Sequence, residues 1–307
     1  MGAVRNGERR EKMGINRLLT CILVGIILFF AGGNKAVASW QTGACAGYDS
    51  NINRSVDHSE GDTYLAGYVS FVRGPSGESR LGWSGAARLE GASFTGNSYL
   101  NYAIISVSPG VTYFLHAFWR IDASPFLEAI AVKDSDQSAL AFGGRVSMQQ
   151  KITTDIYTGQ YYVYRDSRAD VDTYSFTEHV VGVFFGINWT EAFFTEADYE
   201  FSRGDSFRTV GGLSQTAASS GLSGKDKGLG NSNGPGHSGG GKDPIHSEAF
   251  GTDVIREDVD RHAIGMSAGI DWNKSLSSRI GYTFITTQGD LGTSRSHAGF
   301  LDIGYRF

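Results

Sequence analysis

Polar and apolar positions alternate through almost the whole chain after residue 40. At the C-terminus Leu301, Ile303, Tyr305 and Phe307 are apolar, whereas Asp302, Gly304 and Arg306 are not. A side-chain period of two places these sets on opposite faces of one strand. Ile264, Met266, Ala268, Ile270 and Trp272 oppose Gly265, Ser267, Gly269 and Asp271 in the same way. So do Val181, Val183, Phe185 and Ile187 against Gly182, Gly186 and Asn188, and Ala197, Tyr199 and Phe201 against Glu196, Asp198 and Glu200. Leu140, Phe142, Val146 and Met148 oppose Gly143, Arg145 and Ser147. Segments of this texture bounded by turn residues predict twelve strands, at about 43–52, 62–73, 79–91, 98–115, 120–132, 137–149, 154–166, 173–188, 191–205, 258–272, 276–288 and 296–307.

The predicted connections alternate in length. Those at 74–78, 116–119, 150–153, 189–190 and 273–275 are short; those at 53–61, 92–97, 133–136, 167–172, 206–257 and 289–295 are on the whole longer and polar. An even strand number with short turns at one end predicts an all-β fold, a transmembrane antiparallel up-and-down β-barrel with both termini at the short-turn end. Trp83, Trp119, Trp189 and Trp272 stand beside the short connections and Trp40 precedes the first strand, while Tyr64, Tyr99 and Tyr174 lie near the opposite ends. Indoles favour a membrane–water interface, apolar in the ring and wet at the N–H. Trp83, Trp119, Trp189, Trp272 and Phe307 are therefore the predicted interfacial girdle. Alternation alone does not say which face points outward; the one-sided tryptophans favour apolar-out.

Arg5, Arg9, Arg10, Lys12 and Arg17 precede an apolar run from Leu18 to Ala31, followed by Ala36-Val37-Ala38. The run is shorter than the ~20 residues of a comfortable transmembrane helix. Residues 1–38 read as a cleaved signal peptide, with Met13 as a second possible start, and 39–307 as the barrel; the alternative is a retained anchor. The chain has 42 glycines, 12% aromatic residues, 5 prolines and a net charge of −5, with a mean hydropathy of −0.21. This suits strands with one polar face and supplies no basic tract for nucleic acid. Of two cysteines, Cys21 leaves with the signal and Cys45 is left single, which excludes a disulfide framework. Thr42-Gly43-Ala44-Cys45 approximates an acylation box but lacks its leucine, so Cys45 reads as a small strand residue. Thr209 to Lys242 is Gly/Ser-rich and is expected to be a disordered part of a long external loop over 206–257.

The stretch Gly47-Tyr48-Asp49-Ser50-Asn51-Ile52-Asn53-Arg54 resembles the opening strand of the β-barrel porin families of Gram-negative bacteria, which carries G-Y-D-x-N-[IV]-N. The likeness extends loosely through Lys151 to Tyr157 and Asp166 to Asp170. A strand ending on Phe307 resembles the closing strand that the β-barrel assembly machinery of the outer membrane reads. The resemblance implies a location in the cell outer membrane. Its implied partners are outer-membrane lipid, lipopolysaccharide and that machinery, with no nucleic acid. It brings no catalytic residue and no cofactor, and it leaves solute and oligomeric state open.

The predicted lumen carries the candidate chemistry. Arg80 and Arg88 on strand three and Arg145 on strand six are expected to face Glu196, Asp198 and Glu200 on strand nine, with Asp271 and Asp302 further round. Two like-signed rows across a narrow pore would set up a transverse field; the alternative is neutralisation in a packed core. The function read from this is a porin-like passive channel for small solutes or ions, with a closed structural, assembly or secretion-associated barrel as the alternative. An enzyme is not expected. His262 is placed facing lipid with Ser206 and Ser296 on neighbouring strands, but no nucleophile motif surrounds them, and His179, His246 and His297 lie at strand ends or in loops. Asp253, Glu257, Asp258 and Asp260 fit no defined metal loop and read as a solvated rim, so no metal is assigned.

Overall fold

A computed structural model describes residues 38–75, 79–210, 245–247 and 249–307. Residues 1–37 of the expected signal peptide and residues 211–242 of the expected flexible segment lie outside the described residues. The strands are β1 Ala38–Asp49, β2 Asp62–Arg73, β3 Leu81–Phe94, β4 Tyr102–His116, β5 Trp119–Val132, β6 Ala139–Lys151, β7 Ile156–Ala169, β8 Phe176–Asn188, β9 Phe193–Val210, β10 Ile245–Ser247, β11 Thr252–Asp271, β12 Leu276–Gly289 and β13 Gly292–Arg306. Sequential neighbours pair antiparallel except β9 and β10, β9 pairing with β11 instead, and β13 returns to β1, with Asp302 opposite Cys45. β10 is a three-residue strand on the far end of β11, so the closed ring has twelve members.

The alternation resolves as apolar-out. Leu65, Trp83, Met266, Ile280 and Phe307 are each more than 60% exposed, a water-facing arrangement no soluble barrel tolerates. All five tryptophans stand at the short-turn rim, where Phe307 N donates to Trp40 O. Three of these turns share one design. Ile152, Trp189 and Trp272 donate their backbone N–H to Ile156, Phe193 and Leu276, and Thr153, Thr190 and Asn273 accept two turn amides through their side-chain oxygens. Trp189 Nε1 and Trp272 Nε1 donate to Thr195 Oγ1 (2.8 Å) and Ser278 Oγ (3.0 Å), so neither indole leaves an orphan donor at the interface.

The inner wall is lined with aromatic rings laid flat over glycines. A Cβ at Gly182 would meet Tyr161 Cζ at 2.2 Å, and one at Gly43 would meet the Tyr68 ring at 2.6 Å. Both positions need glycine because the neighbouring ring occupies the space of a side chain. The rings therefore narrow the lumen less than their size suggests.

The external end differs from expectation. Residues 206–210 and 253–257 do not begin a loose loop; β9 and β11 continue as a paired ribbon from Ser206–Glu257 to Val210–Asp253. The connection expected at 289–295 is a two-residue turn, Asp290-Leu291, with Gly289 opposite Gly292. Gly292 adopts φ +116°, a conformation that glycine alone enters without strain.

Candidate functional site: a charged lumen beneath a covered mouth

Inward positions of neighbouring strands bring charges together in local pairs. On one wall Arg88 meets Glu90 at 2.6 Å and lies over the Tyr68 ring at 4.2 Å, while Tyr102 Oη donates to Glu90 at 3.0 Å. On the other, Arg279 meets Glu196 at 3.1 Å and Arg261 meets Glu200 at 2.6 Å. Tyr157 and Tyr161 donate to the same two carboxylates at 3.2 and 2.8 Å. Between these walls Arg165 reaches both Glu128 (3.2 Å) and Glu178 (3.5 Å).

Seven of the eight predicted lumen positions lie on strands of the ring, and one does not. Arg80 precedes β3 in an exposed turn, where its carbonyl accepts from Phe114 N at 2.7 Å; β3 starts at Leu81, two residues later than the expected strand over 79–91. Arg145 lies over the Tyr161 ring at 4.7 Å. Asp198 packs against Gly265 between Glu196 and Glu200, and no cation stands within ion-pair distance of it among the described residues. Asp302 shares a cavity with Arg88 and Arg279. Asp271 is exposed at the short-turn rim beside Lys274 and Arg306.

The picture of an arginine row facing a carboxylate row needs correction. Arg261 and Arg279 stand in the acidic wall and Glu90 and Glu128 in the basic one, because each strand's charges are matched by its neighbours. These partners carry a readable signal, since each shares the inward parity of its strand. Arg261 falls on the face of Gly265 and Ser267, and Arg279 is opposite Gly269.

Cavities among the described residues include three along the ring. One of about 620 Å³ opens at the short-turn rim by Gln41, Asp271 and Lys274. A second, of about 660 Å³, shares Tyr68 with it and reaches from Cys45, Asp302 and Arg279 up to Phe207 and Phe250. A third, of about 290 Å³, shares Asp49, Asn51 and Arg54 with the second and lies against Arg165, Glu178 and Arg261. Arg54 thus separates the two upper spaces. It is the one non-glycine residue of positive φ (54°) among the described residues, a position that costs of order 1 kcal/mol. Asn51 holds the bend by exchanging hydrogen bonds with Ser55, 2.9 Å from Nδ2 and 3.0 Å to Oδ1. Arg54 then reaches Ser206 Oγ at 2.9 Å and the Phe207 ring at 4.5 Å.

The β9–β11 ribbon covers this mouth. Arg208 and Glu257, 1% and 6% exposed, pair at 2.9 Å. Arg208 also donates to Gly292 O at 2.9 Å, Glu257 accepts from Leu291 N at 3.0 Å, and Thr209 Oγ1 donates to Asn53 O at 2.9 Å. Tyr174, Ala249, Phe250 and Val254 form a buried apolar cluster against Leu100, Val171 and Phe207. The ribbon is thereby fixed to four other connections of the external rim.

His262 does not meet its candidate serines. It lies on the outer face against Tyr199, whereas Ser206 bonds Arg54 and Ser296 bonds Asp49 on the inner face.

The sequence matches no family model and no curated protein. The barrel is similar to solved structures. A Pseudomonas putida F1 outer-membrane channel superposes with a TM-score of 0.54 at 8% identity, over 90% of this chain and 99% of that one. This is the fold of outer-membrane channel barrels. The NanC porin (TM-score 0.49, 11% identity, 86% of this chain and 98% of that one) and the KdgM porin (0.46, 9%, 86% and 99%) are also similar in outline.

Proposed function

We propose that the chain is an outer-membrane diffusion channel for small polar or charged solutes, with a narrowed external mouth. The observation that carries this is the series of cavities along the ring, bounded by inward charges rather than by an apolar core. Paired arginines and carboxylates leave polar surface of both signs along the route, which suits hydrated, dipolar solutes. Asp198 and Asp302, and equally Arg54 and Arg145, stand without a close ionic partner among the described residues, so the route presents unpaired charge of both signs. The covered mouth supports a second reading, a closed barrel that serves a structural or assembly role.

Two measurements separate them. Single-channel recording of the refolded protein in planar bilayers gives stable currents for the channel and silence for the closed barrel. Cys45 lines the cavity of about 660 Å³. A membrane-impermeant thiol reagent labels it in intact vesicles if the lumen is wet and connected to bulk. A folded barrel that is both silent and unlabelled ends the channel reading.

A further inference from the structure

The outer face of β7 to β13 carries chemistry that the lumen does not use. Tyr162 Oη lies 2.7 Å from His179 Nδ1, Tyr199 Oη 2.7 Å from His262 Nδ1, and Tyr282 Oη 2.6 Å from His297 Nδ1. Each imidazole also rests on a second ring, Tyr164, Phe201 or Phe284, with centroids 5.2, 5.1 and 5.0 Å away. Where the phenol donates to Nδ1, a neutral imidazole keeps its proton on Nε2, and that N–H is the donor each unit can offer a ligand.

The three units are one repeat at one height. β7, β9 and β12 begin at Ile156, Phe193 and Leu276, and each carries its tyrosine six residues later. β8, β11 and β13 end at Asn188, Asp271 and Arg306, and each carries its histidine nine residues before that end. Each histidine is therefore ten residues from a rim aromatic, Trp189, Trp272 or Phe307. Ten residues at ~3.3 Å per residue and a tilt of ~40° span ~25 Å, the height of an outer-membrane apolar band. The histidines stand at the upper edge of that band.

Guanidinium groups stand level with or just beyond them. Arg203 is opposite His179 in the β8–β9 register and is 77% exposed. Arg168 is 65% exposed, and Arg295 is exposed two residues beyond His297. Asp166 and Asp260 steady Arg168 and Arg203 at 2.5 and 3.7 Å without covering them. The other half of the ring has no such His–Tyr pair among the described residues: Leu65, Leu89, Ile105, Leu127 and Phe142 occupy the outward positions at that height, and Lys133 is the cation beyond them.

We infer that this half of the barrel seats the bis-phosphorylated headgroup of an outer-leaflet glycolipid, lipid A. The Nε2–H groups and the guanidinium forks donate to phosphate oxygens, and the acyl chains lie on the apolar band below. Sites two strands apart are ~10 Å apart around the ring, a span that two phosphates on one headgroup bridge and a single phosphate does not. The inference rests on outer-membrane placement and is independent of whether the lumen conducts.

Native mass spectrometry of the detergent-solubilised barrel, titrated with bis-phosphorylated lipid A, monophosphorylated lipid A or phosphatidylglycerol, tests it. Lipid A with both phosphates should bind roughly tenfold tighter than either comparator. The combined variant Arg168→Gln, Arg203→Gln, Arg295→Gln should lose that preference, and His179→Phe, His262→Phe, His297→Phe, which keeps the stacking, should lose part of it. Both should retain the heat-modifiable gel shift and the wild-type conductance. Equal binding of phosphatidylglycerol, or an undiminished preference in the folded arginine variant, overturns the assignment. A dimer that these substitutions dissolve overturns it too, assigning the face to a second copy of the chain.

Discussion

The wall of the ring and the cover over its mouth are built on opposite principles. The wall turns most of its large exposed apolar side chains outward, and inside it holds charged pairs and rings seated on glycine. The cover is packed like a small soluble domain, with a buried apolar cluster and a buried ion pair. The wall depends on a closed backbone hydrogen-bond network and on surrounding lipid. The cover depends on a few side chains, so the two should fail separately.

The largest effect is expected from Glu257→Ala. It leaves Arg208 buried without its carboxylate, a loss of about 3–5 kcal/mol, and frees the Asp290-Leu291 turn. The cover should detach while the ring stays closed. The readouts are protease cleavage between β9 and β11 and a rise in conductance, with an unchanged heat-modifiable shift. Loss of the whole barrel would show that wall and cover are one cooperative unit, and an unchanged conductance would show that the cover does not obstruct the pore.

How much of each region could be read from the chain follows the same division. The wall was legible because a period of two persists through each strand and the outward tryptophans mark one rim. The His–Tyr repeat was legible too, as histidine ten residues ahead of Trp189, Trp272 and Phe307, but it shows only when strands are compared with one another. The cover was not legible. Arg208 and Glu257 are 49 positions apart in sequence, and Arg54 and Ser206 are 152 apart. Each looks like a solvated charge beside a glycine-rich stretch, and only the bend of the ribbon over the mouth makes them partners. Asn51 and Asn53 of the opening motif serve this local architecture, latching the turn that carries Arg54.

A smaller effect is expected in the wall from Gly182→Val. The new side chain collides with the Tyr161 ring, which must swing into the lumen and release its bond to Glu200. Overpacking of this kind costs about 1–3 kcal/mol. Urea unfolding in vesicles should report the loss, and adding Tyr161→Ala should recover part of it by vacating the contested space. No recovery in the double variant would mean that the glycine serves the backbone rather than the ring.

The last and sharpest test of the lumen is Glu196→Lys together with Glu200→Lys. Both carboxylates are partly exposed, and surface-like pairs of this kind contribute about 0–1 kcal/mol each. The ring should therefore fold. The substitutions place two lysines beside Arg279 and Arg261, and leave Asp198 as the only carboxylate in that row. Potassium chloride gradients across a bilayer should then give a reversal potential displaced toward anion selectivity. In the wild type, whose lumen holds unpaired charge of both signs, the same measurement should lie nearer to zero. If the reversal potential of the folded variant does not move, permeating ions do not pass the β9 row. If it moves only when Glu257→Ala is also present, the row lines the path and the cover decides whether the path is open.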